Sequence, residues 1–202
     1  MAKRDAIRKA VLAKRNTLSN GEQHAASSGA TELFLSSPLY QKSQHLGFYM
    51  AHQRELDPAA IMAHALKDGK SCYLPTLDPI SDNSLIFVRY IQGESLVKNK
   101  YQILEPVIKP NNVAGARALD CVLVPLVSFD ENGQRLGMGK GYYDRTFAFK
   151  NNQNERIKPV LVGFAYDFQQ HAAIEHKPWD VPMDFVTTDQ SIYEFSSFDR
   201  AV

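Results

Sequence analysis

The chain has 202 residues, 44% hydrophobic and 22% charged, a length and composition suited to one folded domain with a large apolar core. Its 23 Lys and Arg against 22 Asp and Glu leave a net charge of only +1, without the basic excess of a general nucleic-acid or membrane-surface binder. No apolar run reaches the length of a bilayer span and no signal-peptide pattern opens the chain, so a cytoplasmic protein is expected.

From Ala2 to about Leu18, Ile7, Ala10, Val11 and Leu18 recur at roughly helical spacing, with Lys3, Arg4, Arg8, Lys9, Lys14 and Arg15 on the remaining face. Such a face reads most simply as solvated; the alternative is that Lys3, Arg4 or Arg8 reaches a phosphate. Ser19-Asn-Gly-Glu22 fits a capping box, so a second helix starts here and runs to about Ser37, where Pro38 stops it. Leu46 to Met50 reads as a short buried strand. A polar loop, Ala51 to Leu56, carries His52, Arg54 and Glu55, and Asp57-Pro58 then supplies the start of a third helix ending near Gly69. By position alone Glu55 reads as a surface carboxylate.

Ser71 to Leu77 and Leu85 to Tyr90 are the next strands, and the polar stretch from Gly93 to Ala116 yields no clear assignment. Leu119 to Phe129 is the most continuous apolar run and reads as a central parallel strand, loosened toward its end by Pro125. A helix follows Tyr142, a polar turn spans Asn151 to Glu155, and strands cover Pro159 to Tyr166 and, last, Phe185 to Thr188. This alternation predicts an α/β fold whose ligands bind beyond the C-terminal ends of the strands. Cys72 and Cys121 lie in apolar segments and read as packed, reduced thiols; the six histidines show no zinc-ligand spacing.

The chemistry concentrates between Gly133 and Arg145. Glycines at 133, 137, 139 and 141 free the backbone for φ > 0 and for close approach to a ligand. Arg135, Lys140 and Arg145 can oppose phosphate charge, Asp144 can hold Mg²⁺, and Tyr142 and Tyr143 offer flat faces and hydroxyls. The spacing is not G-x-G-x-x-G, and Gly141 follows Lys140 where a P-loop requires Ser or Thr, so the loop is neither a Rossmann fingerprint nor a Walker A. A plain packing turn would account for the glycines but needs none of the charged residues. The loop therefore reads as a phosphate-handling site leading into a helix N-terminus.

Arg135-Leu-Gly-Met-Gly-Lys-Gly-Tyr-Tyr-Asp-Arg145 resembles the signature of the 5-formyltetrahydrofolate cyclo-ligase family, also called methenyltetrahydrofolate synthetases. Lys3-Arg4-Asp5-Ala6-Ile7, Leu74-Pro75, the Asp120 to Pro125 strand and Pro178 to Asp184 resemble further family landmarks in the same order, so the likeness covers nearly the whole chain. It is weakest from Gly93 to Ala116 and at the C-terminus, and Trp179 stands where the family favours His.

The resemblance implies a Rossmann-like three-layer sandwich, with a mostly parallel central sheet and helices on both faces. It implies ATP- and Mg²⁺-dependent conversion of 5-formyltetrahydrofolate to 5,10-methenyltetrahydrofolate, the formyl oxygen being phosphorylated before ring closure. Lys3, Arg4, Asp5, Ala6 and Ile7, with Arg135, Leu136, Gly137, Met138, Gly139, Lys140, Gly141, Tyr142 and Tyr143, would contact ATP. Met50 and Glu55, with Gly139 to Tyr143, would contact the folate, and Asp144 with Asp184 would hold Mg²⁺. Lys140, Arg145 and Tyr143 are the expected catalytic groups, because phosphoryl transfer depends mainly on positioning and charge stabilisation. The expected partners are the two small molecules, with no nucleic acid or membrane, and the chain is expected to act as a monomer. Two other readings stay open: a phosphosugar isomerase or CoA-transferase-like enzyme that binds phosphate without ATP turnover, and a regulatory protein that binds nucleotide without chemistry.

Overall fold

The computed structural model describes residues 2–81, 83–151 and 158–195; of the expected Asn151 to Glu155 turn only Asn151 falls within them. The chain opens with α1 (Ala2–Thr17) and α2 (Asn20–Ser36). The capping box is made: Ser19 Oγ accepts from the Glu22 N–H at 3.2 Å, and Glu22 Oε2 accepts from the Ser19 N–H at 2.7 Å. Pro38 does more than stop α2, because its missing N–H suits the first position of a helix, and it opens α3 (Pro38–Lys42). Strand β1 is confined to His45–Gly47, and α4 (Ala59–Lys67) starts where Asp57 Oδ1 accepts from the Ala59 N–H at 2.9 Å.

β2 (Ser71–Leu77) and β3 (Leu85–Arg89) lie where expected. The stretch left unassigned forms a small hairpin, β4 (Leu96–Lys98) with β5 (Leu104–Pro106), and then β6 (Val113–Ala114). The long apolar run divides into β7 (Cys121–Pro125) and β8 (Ser128–Phe129), its ladder to the neighbouring strand ending at Pro125. Next come β9 (Arg135–Leu136), α5 (Tyr142–Thr146) and β10 (Val160–Phe164). β11 (Phe185–Thr187) is not the last strand: β12 (Ile192–Glu194) returns antiparallel to it.

The main sheet has the order β12-β11-β10-β7-β1-β2-β3-β6 among the described residues. Its centre, β11 through β2, is parallel and its two edges are antiparallel. Successive strand residues point to opposite faces, so Leu46, Cys72, Leu74, Cys121, Leu123 and Val162 pack under α2, α3 and α4. Val122, Val124, Leu161 and Val186 fill the other side, covered by Phe147, Phe149, Val181 and Met183. Both faces are covered as expected, yet the second is closed by one short helix and irregular chain. Both cysteines are buried and unbonded, and burial alone pushes the Cys72 thiol up to about 12, far from thiolate chemistry.

The chain crosses from β1 to β2 on one side and from β7 to β10 on the other, so β1 and β7 are neighbours from which the connections diverge. The segments leaving their C-terminal ends splay apart there and leave a crevice.

Candidate active site

The glycine loop is held by the hairpin that precedes it. β8 and β9 pair Ser128 with Leu136 and Phe129 with Arg135. At the turn, buried Asp130 accepts from the N–H groups of Asn132 and Gln134, each at 3.0 Å, and from Ile174 at 2.8 Å. One carboxylate thus fixes both the hairpin and the segment beside it. Gly139 and Gly141 then adopt φ of +92° and +72°, where a side chain would be strained. A Cβ on Gly139 would meet the Arg8 guanidinium at 3.4 Å, and one on Gly141 would meet Arg145 Nη1 at 2.7 Å. α5, into which the loop leads, spans only five residues, so its dipole adds little and the loop's own amides and cations dominate.

α1 crosses the back of this hairpin. Ile7 and Leu136 are buried together with Ile174, which turns the helix's next face toward the loop. Arg8 Nε donates to the Gly137 carbonyl at 2.8 Å while its Nη1 meets Asp5 at 2.5 Å. Arg4 Nη1 pairs with Asp180 at 2.7 Å and donates to the Glu175 carbonyl at 3.0 Å. Arg4, Asp5, Arg8 and Asp180 line one cavity with the loop, whereas Lys3, Ala6, Ile7 and Leu136 do not; Ile7 and Leu136 hold the backbone in place from behind.

Met50 and Glu55 form another wall, on the segment leaving β1. Gln53 and Arg54 both take positive φ without being glycine, at 49° and 60°, so the turn needs outside support. Arg15 provides it: only 1% exposed, its Nη2 donates to the Gln53 carbonyl at 2.5 Å and the His52 carbonyl at 3.3 Å. Among the described residues its Nε and Nη1 are buried without a hydrogen-bond partner, and its charge acts on Glu55 nearby. Burial pushes the Glu55 carboxyl up to about 7, although the His52 N–H at 3.1 Å and the Arg15 charge oppose the shift. Burial also pushes the Tyr143 hydroxyl well up, with Glu55 adding to it, so Tyr143 stays protonated and able to donate.

The cavity these walls enclose measures about 1200 Å³. A further wall is the region that sequence left unassigned: Asn99, Tyr101, Ile103 and Glu105 of the β4–β5 hairpin line it, Tyr101 Oη lying 3.0 Å from Tyr142 Oη. That wall carried no usable signal, because its strands are only three residues long and partly exposed.

The loop's charged residues do different work. Lys140 lines the cavity and, among the described residues, its ammonium forms no ion pair. Arg145 instead braces the loop, donating from Nη2 to the Lys140 carbonyl at 2.6 Å and from Nε to the Asn83 carbonyl at 2.5 Å. Arg145 lines the cavity as well, beside Lys140. Arg135 Nη2 meets Asp144 at 2.6 Å, and the same Asp144 oxygen accepts from the Val181 N–H at 3.3 Å.

Asp184 does not join Asp144. It lies away from the cavity lining, where its Oδ2 accepts from the Leu161 N–H at 2.7 Å and meets Lys150 at 3.0 Å. Asp184 thus faces the sheet and Lys150, whereas Asp144 faces the cavity. No group of three or more His, Cys, Asp or Glu among the described residues could hold an ion by itself. Asp144 does fit the commoner Mg²⁺ arrangement of one or two carboxylates with substrate phosphates and water.

A cationic glycine loop at the divergence point of a mostly parallel sheet, facing a wall that carries a buried carboxyl, has the arrangement of an α/β enzyme site. The chain belongs to the 5-formyltetrahydrofolate cyclo-ligase family, whose model matches residues 1–189. It is 34% identical to the 5-formyltetrahydrofolate cyclo-ligase of Haemophilus influenzae over 181 residues, 90% of this chain and 95% of that one. The Escherichia coli K12 enzyme of the same name is 33% identical over 182 residues, 90% and 98% of the two chains. The Aquifex aeolicus 5,10-methenyltetrahydrofolate synthetase structure superposes with a TM-score of 0.80 at 30% identity, covering 98% of this chain and 95% of that one. The Mycoplasma pneumoniae 5,10-methenyltetrahydrofolate synthetase does so with a TM-score of 0.70 at 26% identity, covering 92% and 98%.

Proposed function

We propose that the protein closes 5-formyltetrahydrofolate to 5,10-methenyltetrahydrofolate at the expense of ATP, releasing ADP and phosphate. The observation that carries this reading is the convergence of two unlike walls on one cavity: a cationic glycine loop beside the Arg4 and Arg8 face of α1, and the Met50 to Glu55 segment with its protonatable carboxyl.

In this reading the loop amides and Lys140 hold the terminal phosphoryl group, and Glu55 and Met50 hold the pterin so that the formyl oxygen faces it. The formyl oxygen attacks the phosphorus as the bond to ADP breaks. N10 then attacks the formyl carbon, phosphate leaves with the former formyl oxygen, and N10 gives up its proton. Lys140 stabilises charge on the equatorial oxygens without becoming covalently bound. Tyr143, neutral beside Glu55, suits a donor to the folate. Asp144 would hold Mg²⁺ carried by the nucleotide, and bound there the ion would offset the developing phosphoryl charge. We infer a cytoplasmic monomer acting on small molecules; a net charge of +1 supplies no field for nucleic acid or a membrane surface.

Purified protein incubated with 5-formyltetrahydrofolate and MgATP should generate the near-ultraviolet chromophore of the methenyl product with matching ADP. Folded protein that retains ATP yet forms no chromophore would refute the assignment and favour a nucleotide-binding regulator. Phosphate binding with no ATP turnover would favour the isomerase or CoA-transferase reading.

A further inference from the structure

The chain's one tryptophan, Trp179, lies on the rim of the cavity with 63% of its surface exposed, and neither packing nor phosphate binding accounts for it. Burial normally claims so large an aromatic surface, so an exposed indole beside an anion site is a surface waiting for a flat partner.

The turn that presents it is rigid. Asp180 Oδ2 accepts from the Lys177 N–H at 2.9 Å and pairs with Arg4 at 2.7 Å, and the Asp180 N–H donates to the Lys177 carbonyl at 2.9 Å. The next residue, Val181, donates its N–H to Asp144 at 3.3 Å, tying the turn to the helix that follows the glycine loop. Lys177 Nζ lies over the Trp179 ring, 5.2 Å from its centroid, and the indole surface that stays exposed is available for stacking.

Position decides what stacks there. Glu55 and Tyr143 interact on one flank of the loop, while Arg4, Asp180 and Trp179 stand by the N-terminal end of α1. Resting on the function proposed above, the terminal phosphoryl group must face the folate beside Glu55. The rest of the nucleotide then extends the other way along the loop, toward the 177–180 turn. We propose that Trp179 is the stacking platform for the nucleotide's purine base, with Asp180 and Arg4 as the pair that positions it.

Because the chain holds no other tryptophan, its intrinsic fluorescence reports this contact directly. MgATP titrated into the full chain should change the emission saturably, whereas inorganic tripolyphosphate should displace ATP without that change. Trp179→Ala should raise the KM for ATP about tenfold, the scale of one base–aromatic stack, with the KM for 5-formyltetrahydrofolate unmoved; Trp179→Phe should restore most of it. An equal emission change with tripolyphosphate, an unchanged ATP KM in Trp179→Ala, or a rise confined to the folate KM would overturn the proposal. ATP retained in equilibrium dialysis without an emission change sinks the stacking alone, while ATP not retained at all sinks the cyclo-ligase reading with it.

Discussion

Replacing Glu55 with Gln tests whether the folate wall is as desolvated as its surroundings imply. Moving the carboxyl from an ordinary 4.5 to about 7 penalises its ionised folded form by up to about 3.5 kcal/mol, at about 1.4 kcal/mol per tenfold. The group still opens onto the cavity, so the measured value should fall at or below that bound. The folded pKa is the raised one, so the stability linked to protonation is fully present below 4.5 and lost as pH rises through about 7. Urea denaturation of both proteins at about pH 5 and about pH 8.5 reads the effect, because the Gln variant lacks the titration. Wild type should lose roughly 2–3 kcal/mol more than Glu55→Gln between those conditions. Parallel pH curves would refute the desolvated carboxyl and the pterin contact built on it. The variant should also raise the KM for the folate and leave that for ATP unchanged.

Lys140→Ala should lose at least ~2 kcal/mol of transition-state stabilisation in kcat/KM for ATP with the fold intact by circular dichroism; wild-type kinetics would remove its role. Asp144→Asn should raise the Mg²⁺ concentration needed for half-maximal rate. Asp184→Asn should leave that requirement unchanged and instead lower Tm, since Asp184 ties Lys150 and the Leu161 N–H to the sheet. Asp130→Ala leaves the N–H groups of Asn132, Gln134 and Ile174 without their acceptor, and should destabilise by about 1–3 kcal/mol or more while weakening ATP binding. An unchanged Tm in that variant would mean that the hairpin holds itself.

Local signals made much of the frame legible. The Ser19–Glu22 capping box, the Asp57 start of α4, the apolar run at β7 and the loosening at Pro125 each act within a few residues of their cause. The glycine loop announced itself because several scarce residue types crowd thirteen positions. Signals that depend on tertiary contact were lost. Arg15 reads as one more cation on a solvated face, yet it is buried beneath the His52–Arg54 turn, and nothing nearby in sequence names those carbonyls. Glu55 was singled out only through the family likeness, since its unusual protonation comes from burial. Asp180 and Asp184 lie four residues apart and both look like surface carboxylates; only the fold turns the first toward the cavity and the second into the sheet. β12 and the β4–β5 hairpin are too short, and too mixed in polarity, for periodicity to find.

The central claim is that the cavity brings a nucleotide's terminal phosphoryl group to a formyl oxygen, and isotope transfer tests it most directly. 5-Formyltetrahydrofolate labelled with oxygen-18 in the formyl group should be turned over with unlabelled MgATP in ordinary water, and the released phosphate examined by mass spectrometry. Direct phosphorylation predicts one labelled oxygen in each phosphate, formed in step with the methenyl product. Unlabelled phosphate released alongside that product would contradict the account, placing ATP hydrolysis apart from the formyl group and leaving the alignment of the two walls without its purpose.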